Sequence, residues 1–241
     1  MENEPILFIT LLLEKAGLPV AQGFDPRHGL EYLTAPYMTY TWLVMAFLFF
    51  TAKLTMSNIE LIPGHGQNFW EIVVGGFESF CAENMGKELT NTFFPLIMTF
   101  GLFIAVSNLV GLVPGFMSPT ASLNTTLALA LIVWVLHHYI GIREHGWKYY
   151  KHFIGPIPAL IPLMLPIELI SNFARIISLS VRLFGNIMAK EMMLIILFTL
   201  AGCYFAPLPF MVLGVLVSLV QAMVFVLLTV VYFSQAKEHA H

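Results

Sequence analysis

Between residues 157 and 198 the chain stays apolar for about twice the ~20 residues that cross a bilayer, yet Arg175, Arg182 and Lys190 sit inside the stretch. Few folds accept that combination. After Pro158, Pro162 and Pro166 there is no further proline for roughly 30 residues, and Gly185 is the one glycine, so the pattern predicts an unbroken helix. At ~1.5 Å per residue such a helix extends roughly 45 Å, well beyond a ~30 Å hydrocarbon core. It must tilt steeply or lie partly along the membrane. A broken pair of spans is the alternative, but the stretch has no turn chemistry to reverse the chain.

Composition points the same way: 58% of the 241 residues are hydrophobic and 10% charged, against about 45–50% and 25% in soluble domains. Further apolar stretches fall at 38–52, 92–113, 123–142 and 208–233. The expected fold is all-α and integral to the membrane, with about five membrane helices plus an interfacial one, the last two membrane helices forming a long, steeply tilted hairpin. The hairpin connection, at about 199–210, contains Gly202, Pro207 and Pro209. Residues 1–241 read as a single integral domain. Within it, 1–37 is an external N-terminal segment, 38–55 the first span, 56–91 cytoplasmic or interfacial, and 92–241 the remaining helices.

Orientation follows from loop charge. The 143–152 connection carries Arg143, Lys148 and Lys151, whereas 114–124 carries no charge, so the first faces the cytoplasm and the second the outside. Counting spans then puts the N-terminus outside and Lys237 in the cytoplasm. The apolar run Ile6 to Leu13 is too short to span and follows the acidic MENE, so it does not read as a secretory signal. Cys81 and Cys203 lack metal-ligand spacing and read as small buried hydrophobes. No cofactor, metal or nucleic acid is implied.

The 56–91 segment is interrupted by Glu60, Glu71, Glu78, Glu83, Lys87 and Glu88, so it is not a span. Trp70, Val73, Val74, Phe77, Phe80 and Cys81 recur at helical spacing while the glutamates fall largely elsewhere, which suits a helix in the interface; a soluble loop helix is the alternative.

Polar residues of the long stretch are ordered. Projected at ~100° per residue, Glu168, Ser171, Asn172, Arg175, Ser178, Arg182, Asn186 and Lys190 fall within about 120° of one another. One side of this helix therefore avoids lipid. A charge at bilayer depth costs ~2.5–3.5 kcal/mol on insertion scales and more in simulations, so each arginine needs a partner or a wet cavity. Arg175 can face Glu168 two turns away, with Ser171 and Asn172 in reach, and an ordinary structural ion pair accounts for it as well as a transport role does. Arg182 has Ser178 and Asn186 one turn either side but no acid at i±3 or i±4, which places its missing anion on another chain. Glu191 projects more than 90° from the stripe, about 14 Å beyond Arg182 along the axis. The order along the helix is carboxylate, arginine, carboxylate, as expected if protons enter by one aqueous path and leave by another with a fixed cation between. Arginine suits the barrier because it stays charged where a buried lysine is neutralised. For Glu191 a snorkelling pair with Lys190 is the alternative.

In the last span Gly214, Ser218, Gln221, Phe225 and Thr229 share a face. Close helix packing accounts for Gly214 and Ser218. The Gln221 amide needs a partner in hydrocarbon, and Arg182 or Asn186 is the expected one. His137 and His138 lie near the cytoplasmic end of their span, where an interface position suits them better than a relay.

Taken together, ISLSVRLFGNIMAKE and LVQAMVFVLLTVVYFS, with NLVGLVPG and PTASLNTTLALAL earlier, resemble subunit a of the F-type ATP synthase over roughly 90–236. The resemblance implies a membrane stator facing the rotating c-subunit ring, with peripheral-stalk b subunits and the rest of the synthase as further partners, and 92–241 as the proton-channel helices. Arg182 would match the family's essential arginine, Asn186 its neighbouring asparagine, Glu191 and Glu168 its half-channel carboxylates, and Gln221 the glutamine of the last helix. Arg175, Asn172, Ser178, Ser218, Asn124 and Asn108 are supporting polar groups. Two positions depart from the pattern: Gly214 stands where some members have histidine, and Ser122 where an aspartate often precedes LNTT. The implied protein translocates protons without catalysing ATP chemistry itself, and no GxxxxGK[ST] phosphate loop occurs. The implied location is the bacterial inner membrane.

Two other classes compete. A secondary transporter predicts paired repeats and glycine-broken helices, and neither is visible. A haem- or quinone-binding anchor predicts paired histidines deep in spans, whereas the histidines here sit in loops or at span ends.

Overall fold

A computed structural model describes residues 36–56, 64–113, 115–146, 161–201 and 207–238. The 1–35 segment, Glu60, Lys148, Lys151, Pro158, Gly202 and Cys203 lie outside the described residues. The described elements are α1 (Pro36–Met56), α2 (His65–Met85), α3 (Lys87–Val110), a 3₁₀ turn (Pro119–Ala121), α4 (Leu123–His145), α5 (Ile161–Ala201) and α6 (Pro207–Glu238). Among the described residues five helices, all but α2, are long and apolar enough to cross a membrane. The protein is an all-helical integral membrane protein.

Helix α5 runs 41 residues without a break, roughly 60 Å at the standard rise, and takes in Pro162 and Pro166. Pro162 is tolerated because the first turn has no intrahelical acceptor for its missing N–H, whereas Pro166 lies inside the helix and forgoes one backbone bond there. Pro207 and Pro209 likewise open α6 instead of serving as turn residues. Pro95 lies inside α3 and offers no N–H to the ladder, and the hydroxyl of Thr99 donates to the Pro95 carbonyl at 2.7 Å. Gly86 separates α2 from α3 with φ +80, a backbone angle that side chains oppose.

Contacts divide the chain into two compact units. One gathers the described residues of 1–63 with those of 102–122 and 184–222; the other gathers those of 64–101, 123–183 and 223–241.

In the first unit Tyr40 and Val44 of α1 are fully buried. The Tyr40 hydroxyl donates to the Gly115 carbonyl at 3.2 Å, and its ring lies 5.7 Å from that of Phe116. The rest of α1 exposes Trp42, Met45, Phe47, Phe49 and Phe50, a surface suited to lipid.

The second unit packs aromatic rings between α3 and α6: Phe93 against Phe233 at 5.4 Å and Phe100 against Phe225 at 6.2 Å. The two helices come close at Gly101, where an added Cβ would lie 2.9 Å from Val226 Cγ2. Helix α2 turns Cys81 and Met85 inward and leaves Glu71, Glu78 and Glu83 exposed, the division its spacing predicts. His145 closes α6: its Nε2 meets the carbonyls of Ala236 and Lys237 at 3.2 and 3.1 Å, groups a helix C-terminus leaves without intrahelical donors. His137 is buried, and its Nδ1 lies 2.8 Å from the Tyr232 carbonyl.

Burial first, and Glu78 second, push the Cys81 thiol up to about 11. Only the thiolate attacks, and at pH 8 roughly one molecule in a thousand carries it. Maleimide labelling of Cys81 in the folded protein is therefore expected to be far slower than that of an exposed thiol, and to accelerate on unfolding; equal rates would contradict this burial. Gly101→Leu is expected to cost about 1–3 kcal/mol through overpacking on Val226, read as a lower unfolding temperature in detergent.

Candidate functional site

In the second unit the polar side of α5 begins at Glu168, which is half-buried. Buried Asn172 donates back to the Glu168 carbonyl at 3.1 Å. Arg175 is not paired with Glu168. Its guanidinium stands 5.7 Å from the centre of the Tyr232 ring on α6, where a flat cation meets the negative face of the ring. Trp134, His137, Ile176 and Leu179 line the same small cavity. Ser180 and Thr126 bring their hydroxyls within 3.2 Å, joining α5 to α4. Arg182 lies on an exposed face and reaches Ser178 Oγ at 3.5 Å, a long contact. Among the described residues the one ion pair is Lys237 with Glu88, and no carboxylate there balances Arg182.

The first unit holds a denser network. Asn186 Nδ2 donates to Gln221 Oε1 at 2.8 Å, one of the two partners expected for that amide. Lys190, one turn on, donates to the Asn108 carbonyl at 2.8 Å and to Ser218 Oγ at 3.0 Å. Asn108 is fully used: its Nδ2 donates to the Ser218 carbonyl at 3.3 Å, and its Oδ1 accepts from Thr120. Every polar atom of that buried amide therefore finds a partner, as burial demands.

Glu191 is directed elsewhere. Its Oε1 accepts the Ser118 main-chain N–H at 2.7 Å, while the Ser118 hydroxyl donates to the Ser107 carbonyl at 2.9 Å and lies 2.7 Å from Thr120 Oγ1. Lysine and glutamate, adjacent in sequence, thus enter different networks and do not form the snorkelling pair. Gly214 is buried, and an added Cβ would lie 2.5 Å from Leu112 Cδ2, so Leu112 fills the space a larger residue would need. Asn124 is exposed at the start of α4.

Sequence reasoning missed Gly111, Ser118 and Thr120. The signal was thin: hydroxyl residues in the uncharged 114–124 connection, and a glycine just past the end of α3.

Ionisable and amide groups held within helices of membrane length define a multi-pass membrane protein built for handling ions. The model of the ATP synthase A chain family matches residues 38–234. ATP synthase subunit a of Desulfotalea psychrophila is 70% identical over 99% of this chain and all of its own length. The subunits a of Desulfosudis oleivorans and Syntrophobacter fumaroxidans are 53% and 48% identical over the same shares. The chain belongs to the F-type ATP synthase subunit a family. It is a membrane component of that complex, serving ATP synthesis and proton transport.

Gly214→Val is expected to cost about 1–3 kcal/mol by displacing Leu112, seen as a lower unfolding temperature of the detergent-solubilised complex. Adding Leu112→Ala should recover part of that loss. If the double variant loses the sum of the two single effects, the packing account of Gly214 fails.

Proposed function

We propose that this subunit provides two aqueous half-channels to and from the carboxylates of a c-subunit ring, separated by Arg182. The observation that carries the reading is the state of Arg182. A guanidinium in a span makes one long contact, to Ser178, stands exposed, and has no anion among the described residues. A charge left so at bilayer depth requires an anion from a partner chain or water, and a ring carboxylate supplies one.

Protons enter from outside by a path that includes Glu191 and pass to a ring carboxylate, which turns neutral into lipid. After nearly a full turn it releases its proton toward Glu168. Arg182 attracts the deprotonated carboxylate and bars direct leakage between the half-channels. Asn186 and Gln221 hold each other beside this path, and Arg175, Asn172, Ser178, Ser218, Asn108 and Asn124 are supporting polar groups. Each charge moved through 100 mV is worth ~2.3 kcal/mol, so several must be coupled to make one ATP. ATP chemistry itself occurs on other subunits.

The length of α5, roughly 60 Å against ~30 Å of hydrocarbon, favours a steep tilt, with α6 returning beside it to face the ring. Helix α2 lies in the interface, and stalk b subunits pack against the chain. The N-terminus is outside and the C-terminus cytoplasmic, in a bacterial inner membrane.

Arg182→Ala in the intact synthase should abolish ATP-driven proton pumping into inverted vesicles, followed by quenching of a ΔpH-sensitive dye, while membrane-bound complex stays at normal abundance. Unchanged pumping would sink the assignment. Glu191→Gln should slow pumping severely; if it does not, the entry role of Glu191 alone is lost.

A further inference from the structure

The Glu191 carboxylate does not rest against another titratable group. It is met by a peptide N–H, that of Ser118 at 2.7 Å, presented by the connection between α3 and α4. Three features fix that peptide. Ser118 is fully buried and caps the 3₁₀ turn, with the Ala121 N–H returning to its carbonyl at 3.0 Å. Its hydroxyl is held between the Ser107 carbonyl and Thr120. Thr120 in turn donates to Asn108, whose own carbonyl receives Lys190. The seat is thus tied at both ends to groups that are already satisfied.

Gly111 is what allows the approach. A Cβ at that position would lie 2.7 Å from Ser118 Cβ, 2.8 Å from Glu191 Oε1 and 3.3 Å from Ser118 N. Two of these atoms, Ser118 N and Glu191 Oε1, are the donor and acceptor of the contact and the third is the donor residue's own Cβ, so any side chain at 111 pushes donor and acceptor apart. The carboxylate could swing away, but Ser118 Cβ is fixed close to its backbone and cannot.

We propose that Gly111 and Ser118 are positioning residues for Glu191: the bare Gly111 backbone leaves the room in which the Ser118 N–H seats the carboxylate. The proposal rests on the entry role given to Glu191 above. A long, flexible side chain that must accept and pass on a proton gains from one defined position, since transfer needs heavy atoms within about 2.6–3.2 Å of each other. The Ser118 N–H supplies that position without bringing a second acid or base that would compete for the proton.

The backbone of Ser118, at φ -76 and ψ 125, is one a proline adopts. Ser118→Pro therefore removes the N–H donor with little demand on its own conformation, and Ser118→Ala removes the hydroxyl but keeps the N–H. In the complete synthase in inverted vesicles, pumping normalised to membrane-bound complex should fall several-fold less for Ser118→Ala, which loses one of the groups fixing the peptide but keeps the N–H, than for Ser118→Pro. It should fall about tenfold for Ser118→Pro and for Gly111→Ala, the scale of one lost hydrogen bond to a charged group. In a Glu191→Asp background, whose shorter side chain no longer reaches the seat, neither change should slow pumping further.

Two results would overturn the proposal: wild-type pumping in both Ser118→Pro and Gly111→Ala, or the same tenfold loss repeated on top of Glu191→Asp, which would mark a packing effect. If Gly111→Ala does not assemble, the contrast between proline and alanine at 118 decides. If Glu191→Gln itself pumps normally, it is the entry role of Glu191 that has failed.

Discussion

Hydrocarbon offers nothing to a charge, and the organisation of α5 follows from that fact. Each ionisable group along it is met in a different way. Arg175 lies against the Tyr232 ring, Lys190 is held by a carbonyl and a hydroxyl, and Glu191 accepts a peptide N–H. Arg182 alone in this series has little more than the Ser178 hydroxyl at 3.5 Å. The charges of Arg175, Lys190 and Glu191 are met by dipoles of the same chain, whereas Arg182 stands on an exposed face.

The pair Lys190–Glu191 shows how helical geometry sorts neighbours. Successive residues project ~100° apart, so the ammonium enters the Asn108–Ser218 network while the carboxylate turns to the Ser118 connection. Had they paired with each other, the result would have been a modest ion pair and no anchoring of α5. Separated, they tie α5 to α3, to α6 and to the 3₁₀ turn through Asn108, Ser218, Ser118 and Thr120.

Much of this was legible in the sequence, because spans are written in apolar runs and the exclusion of lipid in polar periodicity. The five helices, the continuity of α5 beyond Pro166, and Arg182 or Asn186 as the partner for Gln221 follow from such patterns, while the start of α5 at Ile161, ahead of Pro162 and Pro166, does not. What was not legible depends on residues distant in sequence. Arg175 has Glu168 two turns away, and period arguments favour that pair; the ring of Tyr232, 57 positions later, could not be read as a neighbour. The carbonyl on α6 that meets His137 lies 95 positions away. Gly111 and Ser118 carry no charge, and although Gly111 falls within NLVGLVPG, the 2.7 Å contact that involves them is created only by tertiary packing.

Tyr40 links these local details to the surrounding solvent. Helix α1 spreads most of its surface toward lipid, yet its buried tyrosine holds Gly115 and Phe116, in the same connection that presents Ser118. A bilayer whose thickness does not match the apolar length of α1 makes that helix tilt or shift. The displacement reaches the connection through one hydroxyl and one ring pair, three residues before the Glu191 seat. Acyl-chain length thereby becomes a variable for the contact between Ser118 and Glu191.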